Sequence, residues 1–185
     1  MIRTLSPPRA TLDDLMRTEG KAELIGGRVV TYMASGVRPG RVAAKIFRRL
    51  DDLAESTGIG LAFTDGVGFA VPELSSGRES FSPDASYYTG PLPANRMKFV
   101  PGAPDFAVEV RNEGDSGPAA EAEMAAKRDD YFEAGTRVVW DVDPLAGVVR
   151  SYRADGTLAE FAAGAEADAE PAVPGWRVSV DWLMA

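Results

Sequence analysis

Pro104-Asp105-Phe106-Ala107-Val108-Glu109-Val110-Arg111 reads as a strand, because Phe106, Val108 and Val110 alternate with Ala107, Glu109 and Arg111. That alternation puts the acidic and the basic side chain on one face. Taking a carboxylate out of water costs several kcal/mol, roughly, unless it is paired, hydrogen-bonded or metal-bound, so a face carrying Glu109 is expected to line a polar site. An edge strand with Glu109 simply solvated satisfies the same pattern. Two other segments bear on the choice. Phe81-Ser82-Pro83-Asp84-Ala85-Ser86-Tyr87-Tyr88 opens a second strand-like run with a proline, which places Asp84 at a strand's start. Residues 118–134, rich in Ala, Glu, Met, Lys and Arg, predict a helix whose inward stripe is Ala120, Met124, Tyr131 and Ala134. Lys127 lies in that stripe and supplies a cation for Glu109, unless its stem packs there while its ammonium reaches water.

Pro83-Asp84, Glu109 and Lys127, in that order and spacing, resemble the PD-(D/E)XK nuclease superfamily, and more narrowly the Uma2 family of restriction-type endonucleases. The likeness runs through most of the chain. It takes in Thr11-Leu12-Asp13-Asp14-Leu15, then Ala22-Glu23-Leu24-Ile25-Gly26-Gly27-Arg28-Val29-Val30, then Ser82-Pro83-Asp84. It continues through Ala103 to Val110, through Lys127 with Tyr131 and Gly135, and through Val138-Val139-Trp140-Asp141-Val142-Asp143-Pro144. The resemblance implies an α/β fold: a single domain over residues 1–185 whose mixed β-sheet is flanked by helices, with a restriction-endonuclease-like core. It also implies metal-dependent hydrolysis of DNA phosphodiester bonds, with Glu23, Asp84, Glu109 and Lys127 as the active-site group. Asp84 and Glu109 would share one Mg2+ or Mn2+, with a backbone carbonyl such as that of Val110 and waters completing the shell. Lys127 would orient or deprotonate the attacking water, and Glu23 would help to position a second water or metal. A homodimer would let two sites address two strands.

Two positions depart from the family pattern. Arg111 stands two residues after Glu109, where a lysine would complete the local triplet, and it reads either as a substrate-binding phosphate clamp or as a salt-bridge partner of Glu109. Arg38-Pro39-Gly40 occupies the place where the family commonly has a histidine. A non-catalytic interaction module that keeps the nuclease fold, with Glu109 and Lys127 as a buried ion pair, is the alternative.

Composition narrows the chemistry. The chain has no cysteine and no histidine, which removes disulfides, thiolates and imidazole acid-base groups and leaves carboxylates, lysine, arginine, hydroxyls and a hard metal. Hydrophobic residues make up 45% of 185, enough for the core of one domain. No apolar run is long enough to span a bilayer, and residues 1–8 lack a signal-peptide hydrophobic region, so a cytoplasmic protein is expected. The formal net charge of −8 opposes a broad footprint for nucleic acid, which depends on basic residues. Acidic residues gather at 113–123 and 160–170, whereas Arg38, Arg41, Lys45, Arg48 and Arg49 gather elsewhere.

The remaining elements are read in chain order. Thr11 and Asp14 form a capping box that opens a short helix to about 19. Gly26-Gly27 joins two arms of a hairpin, with Glu23 on the first arm as a solvent-facing residue unless the family role holds. Val42, Ile46, Leu50 and Leu53 predict an amphipathic helix over 39–56, whose basic face is either solvated or meets phosphates. Residues 61–63 and 67–71 suggest a hairpin around Thr64-Asp65-Gly66, with loops at 72–80 and 90–101. A strand-helix-strand unit follows from 104 to 144, then a hairpin over 148–161, a low-complexity Ala/Glu/Gly stretch over 162–172, and a last strand over 173–180 anchored by Trp182-Leu183.

Overall fold

The structure is a computed structural model, and it describes residues 8–185. The targeting-segment reading at the N-terminus thus falls, but for Pro8, outside the described residues. Helix α1 (Leu12–Met16) starts on the expected capping box: Thr11 Oγ1 accepts from the Asp14 N–H, and the Asp14 carboxylate accepts from the Thr11 N–H. Strands β1 (Ala22–Ile25) and β2 (Arg28–Thr31) form the hairpin, and Gly26 and Gly27 both take the positive φ that such a turn demands. Helix α2 (Val37–Thr57) buries Val42, Ile46, Leu50 and Ala54, one residue every fourth position along a single stripe.

Six strands form the main sheet. They are β3 (Leu61–Thr64), β6 (Ala85–Tyr88), β8 (Phe106–Val110), β9 (Val138–Asp143), β10 (Val148–Arg153) and β11 (Leu158–Phe161). Two more strands, β4 (Phe69–Ala70) and β5 (Ser80–Phe81), join β7 (Val100–Pro101) in a small separate sheet. The main order is β11-β10-β9-β8-β6-β3, and only β8 and β9 run parallel. Helix α3 (Pro118–Glu133) connects that parallel pair, as parallel strands require. The sheet is mixed and flanked by helices, as expected.

The alternation along β8 divides the interior in two. Phe106, Val108 and Val110 pack with the α2 stripe, together with Trp140, Val142 and Trp176. Ala107 lies on the other side with Tyr131 of α3, Val139, Phe69, Phe81 and Tyr88. Glu109 shares Ala107's face by the two-residue period, so it looks toward α3. Because β8 lies between β9 and β6, Glu109 is on a central strand, and the solvated-edge reading is overturned.

Three expectations change. Residues 61–63 and 67–71 do not form a hairpin: β3 pairs with β6, whereas β4 pairs with β5 and β7. Phe63 and Phe69 meet only edge to face, 5.9 Å between centroids, and the buried Phe69 takes Phe81 and Val100 as its strand neighbours. The stretch 162–172 carries a strand, β12 (Glu166–Asp168), paired with β13 (Arg177–Ser179). Its small side chains serve packing, since Ala167, Ala169 and Ala172 are buried in the cluster that contains Trp140 and Trp176. The last strand stops at Ser179, whose hydroxyl accepts from the Trp182 N–H and caps α4 (Val180–Met184). Leu183 is buried there, and Lys45 of α2 donates to the Trp182 and Leu183 carbonyls at 2.7 and 3.3 Å. Part of the basic face of α2 therefore secures α4 to the body of the protein.

Candidate active site

The face of the sheet that looks toward α3 holds the charged groups. Asp84 immediately precedes β6, and its N–H donates to the Val108 carbonyl at 2.9 Å. The antiparallel register ends with Ala85 opposite Val108, and Asp84, just before the strand, bonds to Val108 and Val110, the residues on either side of Glu109. The Asp84 charge acts on Glu109 and that of Lys21 on both, so the two carboxylates share one location. Asp84 uses one oxygen to accept from the Val110 N–H at 2.7 Å, and its other oxygen meets the Lys21 ammonium at 2.5 Å. Asp84 is 11% exposed and Lys21 19%.

Lys127 reaches the same face from α3. Its ammonium lies 2.9 Å from Glu109 Oε1 and 3.0 Å from Glu23 Oε1, so the side chain bridges two carboxylates and does not snorkel to water. Burial works against the ammonium charge, but Glu109 and Glu23 outweigh it and raise the lysine's pKa. As it stands, Lys127 is a fixed cation and not a base. Tyr131, one turn on, donates its hydroxyl to Glu109 Oε1 at 2.7 Å while its ring stacks on Phe81 at 4.1 Å. Burial, then the neighbouring Glu109, keeps that hydroxyl protonated far above its ordinary range. Burial and Asp84 push the Glu109 carboxyl up, against the pull of Lys127 and Lys21.

Glu23 is fully buried and not a solvent-facing hairpin residue. Its carboxylate accepts from the Ser82 N–H at 2.9 Å and the Tyr32 hydroxyl at 2.8 Å, and it is ion-paired with Arg78 and Lys127. Burial alone would raise its pKa, but Lys127 and Arg78, helped by the Ser82 N–H, hold it down at about 2. Burial, helped by the same carboxylate, pushes the Tyr32 hydroxyl up to about 12. Arg78 continues the network by donating from Nε to the buried Asp130 at 2.8 Å.

The structure thus brings Glu23, Asp84, Glu109 and Lys127 together and sets Arg111 apart from them. Arg111 forks onto Asp141 of β9 at 2.7 and 2.6 Å, pairs with Glu121 of α3, and donates to the Asp115 carbonyl at 3.3 Å. No ion pair links it to Glu109. The reason is the parallel register: Asp141 stands beside Glu109 on the next strand, and just past the end of β8 the guanidinium meets it bidentately. A phosphate approaching Arg111 would have to displace Glu121, whose side chain is 56% exposed.

Sequence reasoning missed Lys21, Tyr32, Arg78, Asp130 and Asp141. Asp141 carried a usable signal, an acid alternating with Trp140 and Val142 in a buried strand, the same signal that singled out Glu109. Arg78 sits among Ser75, Ser76, Gly77, Glu79 and Ser80, where nothing marks it as buried. Asp130 and Lys21 are likewise ordinary by type and setting.

Among the described residues, no group of three or more His, Cys, Asp or Glu side chains is arranged to hold a metal ion. Glu23 and Asp141 are held by Arg78 and Arg111, and the hard-oxygen donors on this face that no arginine holds are the Asp84 and Glu109 carboxylates. That set fits magnesium, which binds through one or two carboxylates and completes its octahedron with water and substrate phosphate. No helix among the described residues is long and apolar enough to cross a membrane.

No curated protein matches the chain. Among solved structures it is similar to one described as a putative nuclease belonging to DUF820 from Anabaena variabilis ATCC 29413. The two share 18% identity over 94% of this chain and 97% of the other, with a TM-score of 0.74, a likeness that speaks for the fold. The pattern of the Uma2 family, described as "putative restriction endonuclease", matches residues 10–181. With nearly its whole length matched, and with the sheet and helices of a nuclease fold, the chain belongs to the Uma2 family.

Proposed function

We propose that this protein is a magnesium- or manganese-dependent endonuclease that hydrolyses DNA phosphodiester bonds. The observation that carries the proposal is the placement of Asp84 beside Glu109, bonded to Val108 and Val110 on either side of it, with the Lys127 ammonium 2.9 Å from Glu109. Asp84, Glu109 and the Val110 carbonyl would hold the cation. When bound, the metal lowers the pKa of a coordinated water and neutralises charge on the phosphate. Lys127, protonated and held by two carboxylates, would orient the water and oppose negative charge building on the phosphate oxygens. Tyr131 fixes the Glu109 carboxylate through its hydroxyl, leaving the other oxygen for the cation. Glu23 already accepts from four donor groups, so its part is to position Lys127. A homodimer would present two such sites to the two strands.

A second reading, a non-catalytic module on the same fold, is favoured by one observation. Lys21 and Lys127 already supply ammonium groups to Asp84 and Glu109. Cleavage of supercoiled plasmid DNA separates the two. Wild-type protein should nick or linearise the plasmid with Mg2+ or Mn2+ and stop when EDTA is added. Asp84→Asn and Glu109→Gln should each slow cleavage at least about a hundredfold, in line with the loss of a group that acts only in the transition state. Absence of cleavage by the wild type, or cleavage by both variants as fast as by the wild type, would refute the nuclease reading.

A further inference from the structure

Asp84, just before β6, lies beside Glu109 of β8 through its bonds to Val108 and Val110, and its counter-ion is Lys21. The Lys21 ammonium lies 2.5 Å from Asp84 Oδ1, and both side chains are largely buried. Lys21 stands just before β1, the strand that carries Glu23, and β1 is a neighbour of β5 in the small sheet. The lysine thus comes from a part of the fold outside the main sheet and reaches in over it. Its charge acts on Glu109 as well as on Asp84, against the penalty of burial. A divalent cation shared by Asp84 and Glu109 would meet that ammonium.

We propose that Lys21 is a built-in counter-cation that competes with the metal for Asp84, so that metal entry requires Lys21 to leave. The proposal rests on the metal-site reading above and adds its regulation. Two like charges close together destabilise the fold, and an unpaired buried carboxylate does so more strongly. Lys21 relieves this for Asp84 while Lys127 does so for Glu109 from the other side. The fold also gives Lys21 somewhere to go. A cleft of about 420 Å³ opens beside it, lined by Thr18, Lys21, Asp65, Ser82 and Phe99 among others. The exposed Asp65 carboxylate on that wall is an acceptor for a displaced ammonium. Lys127 has no such freedom, because Glu23 and Glu109 hold it from two sides. Of the two lysines, Lys21 is the one that can yield.

Calorimetric titration of Mn2+ into the wild type, Lys21→Met and Asp84→Asn tests this, with Lys21→Gln as a second variant should the methionine protein fold poorly. Removing a unit charge in contact with a ligand carboxylate should tighten Mn2+ binding by about tenfold or more in Lys21→Met. Asp84→Asn should abolish binding. Unchanged or weaker Mn2+ affinity in both Lys21 variants, with binding still lost in Asp84→Asn, would overturn the competition and leave the metal site standing. Mn2+ binding that survives Asp84→Asn, or no binding by any of the proteins, would overturn the metal site and the competition with it.

Discussion

Glu23→Gln is the substitution whose outcome follows most directly from the geometry. Glu23 is fully buried with a folded-state pKa of about 2, against an ordinary value of 4.5. Because the folded value is the lower one, the ionised carboxylate stabilises the fold at every pH above 4.5. That contribution shrinks as pH falls from 4.5 toward 2 and is gone below. The gap between the two values corresponds to about 3 kcal/mol, a large share of the 5–15 kcal/mol or so that holds a typical domain together. Gln keeps the shape and removes the charge, leaving Arg78 and Lys127 each one partner short. Urea unfolding at neutral pH should therefore show the variant less stable by about 3 kcal/mol. Repeated at a series of lower pH values, wild-type stability should fall more steeply than the variant's, by about 1 kcal/mol per pH unit below pH 4.5. Parallel pH profiles for the two proteins would refute the claim that Lys127 and Arg78 hold Glu23 ionised.

Lys127→Met should lose DNA cleavage by at least about a hundredfold, and should cost about 3 kcal/mol in urea unfolding because Glu23 and Glu109 lose a shared cation. Leu50→Ala, on the α2 stripe across the sheet from the site, should cost about 2–5 kcal/mol in the same assay while leaving Mn2+ affinity unchanged. Gly60→Ala should lower the melting temperature: Gly60 has φ +70°, and an added Cβ would lie 2.5 Å from Tyr87 Cζ, so both backbone and ring must shift. An alanine variant as stable as the wild type would show that the ring yields freely.

Much of the fold was legible because it rests on local periodicity. The four-residue spacing of Val42, Ile46 and Leu50 sets α2, the alternation through Phe106, Val108 and Val110 sets β8, and Gly26-Gly27 sets the first hairpin. The strand-helix-strand crossover through α3 was equally plain, since β8 and β9 are each mostly apolar runs broken by an acid, with a helical composition between them. Of the two-residue strands, β4 was read within the run 67–71 but with the wrong partner, and β5 and β7 were not read as strands of their own, because all three owe their pairing to tertiary neighbours and carry no period of their own. The alanines of β12 were hidden for a related reason: a small side chain signals nothing about burial until the tryptophans it must fit are in place. In the site, the carboxylates were visible as acids interrupting apolar strands. Their cations Lys21 and Arg78 lie in connections where a basic residue is usually solvated, and only the folded chain brings them inward.

That difference changes what the charged set can be used to argue. On the sequence alone, four site residues exceed what one structural ion pair needs. In the fold, however, each carboxylate has a cation: Lys21 for Asp84, Lys127 for Glu109 and Glu23, and Arg78 for Glu23 and Asp130. Completeness of the set no longer separates a catalytic site from a buried network. Nor does proximity, since Glu109 and Asp141 are register partners on adjacent strands. The kind of cation differs: Asp84 and Glu109 are met by lysines brought in from β1's approach and from α3. Asp130 and Asp141 show the structural pattern, each met by an arginine that forks onto it or links it to one further carboxylate. Asp84 and Glu109 instead form a pair of hard oxygen donors whose mutual repulsion a divalent cation would relieve better than two separate ammonium groups.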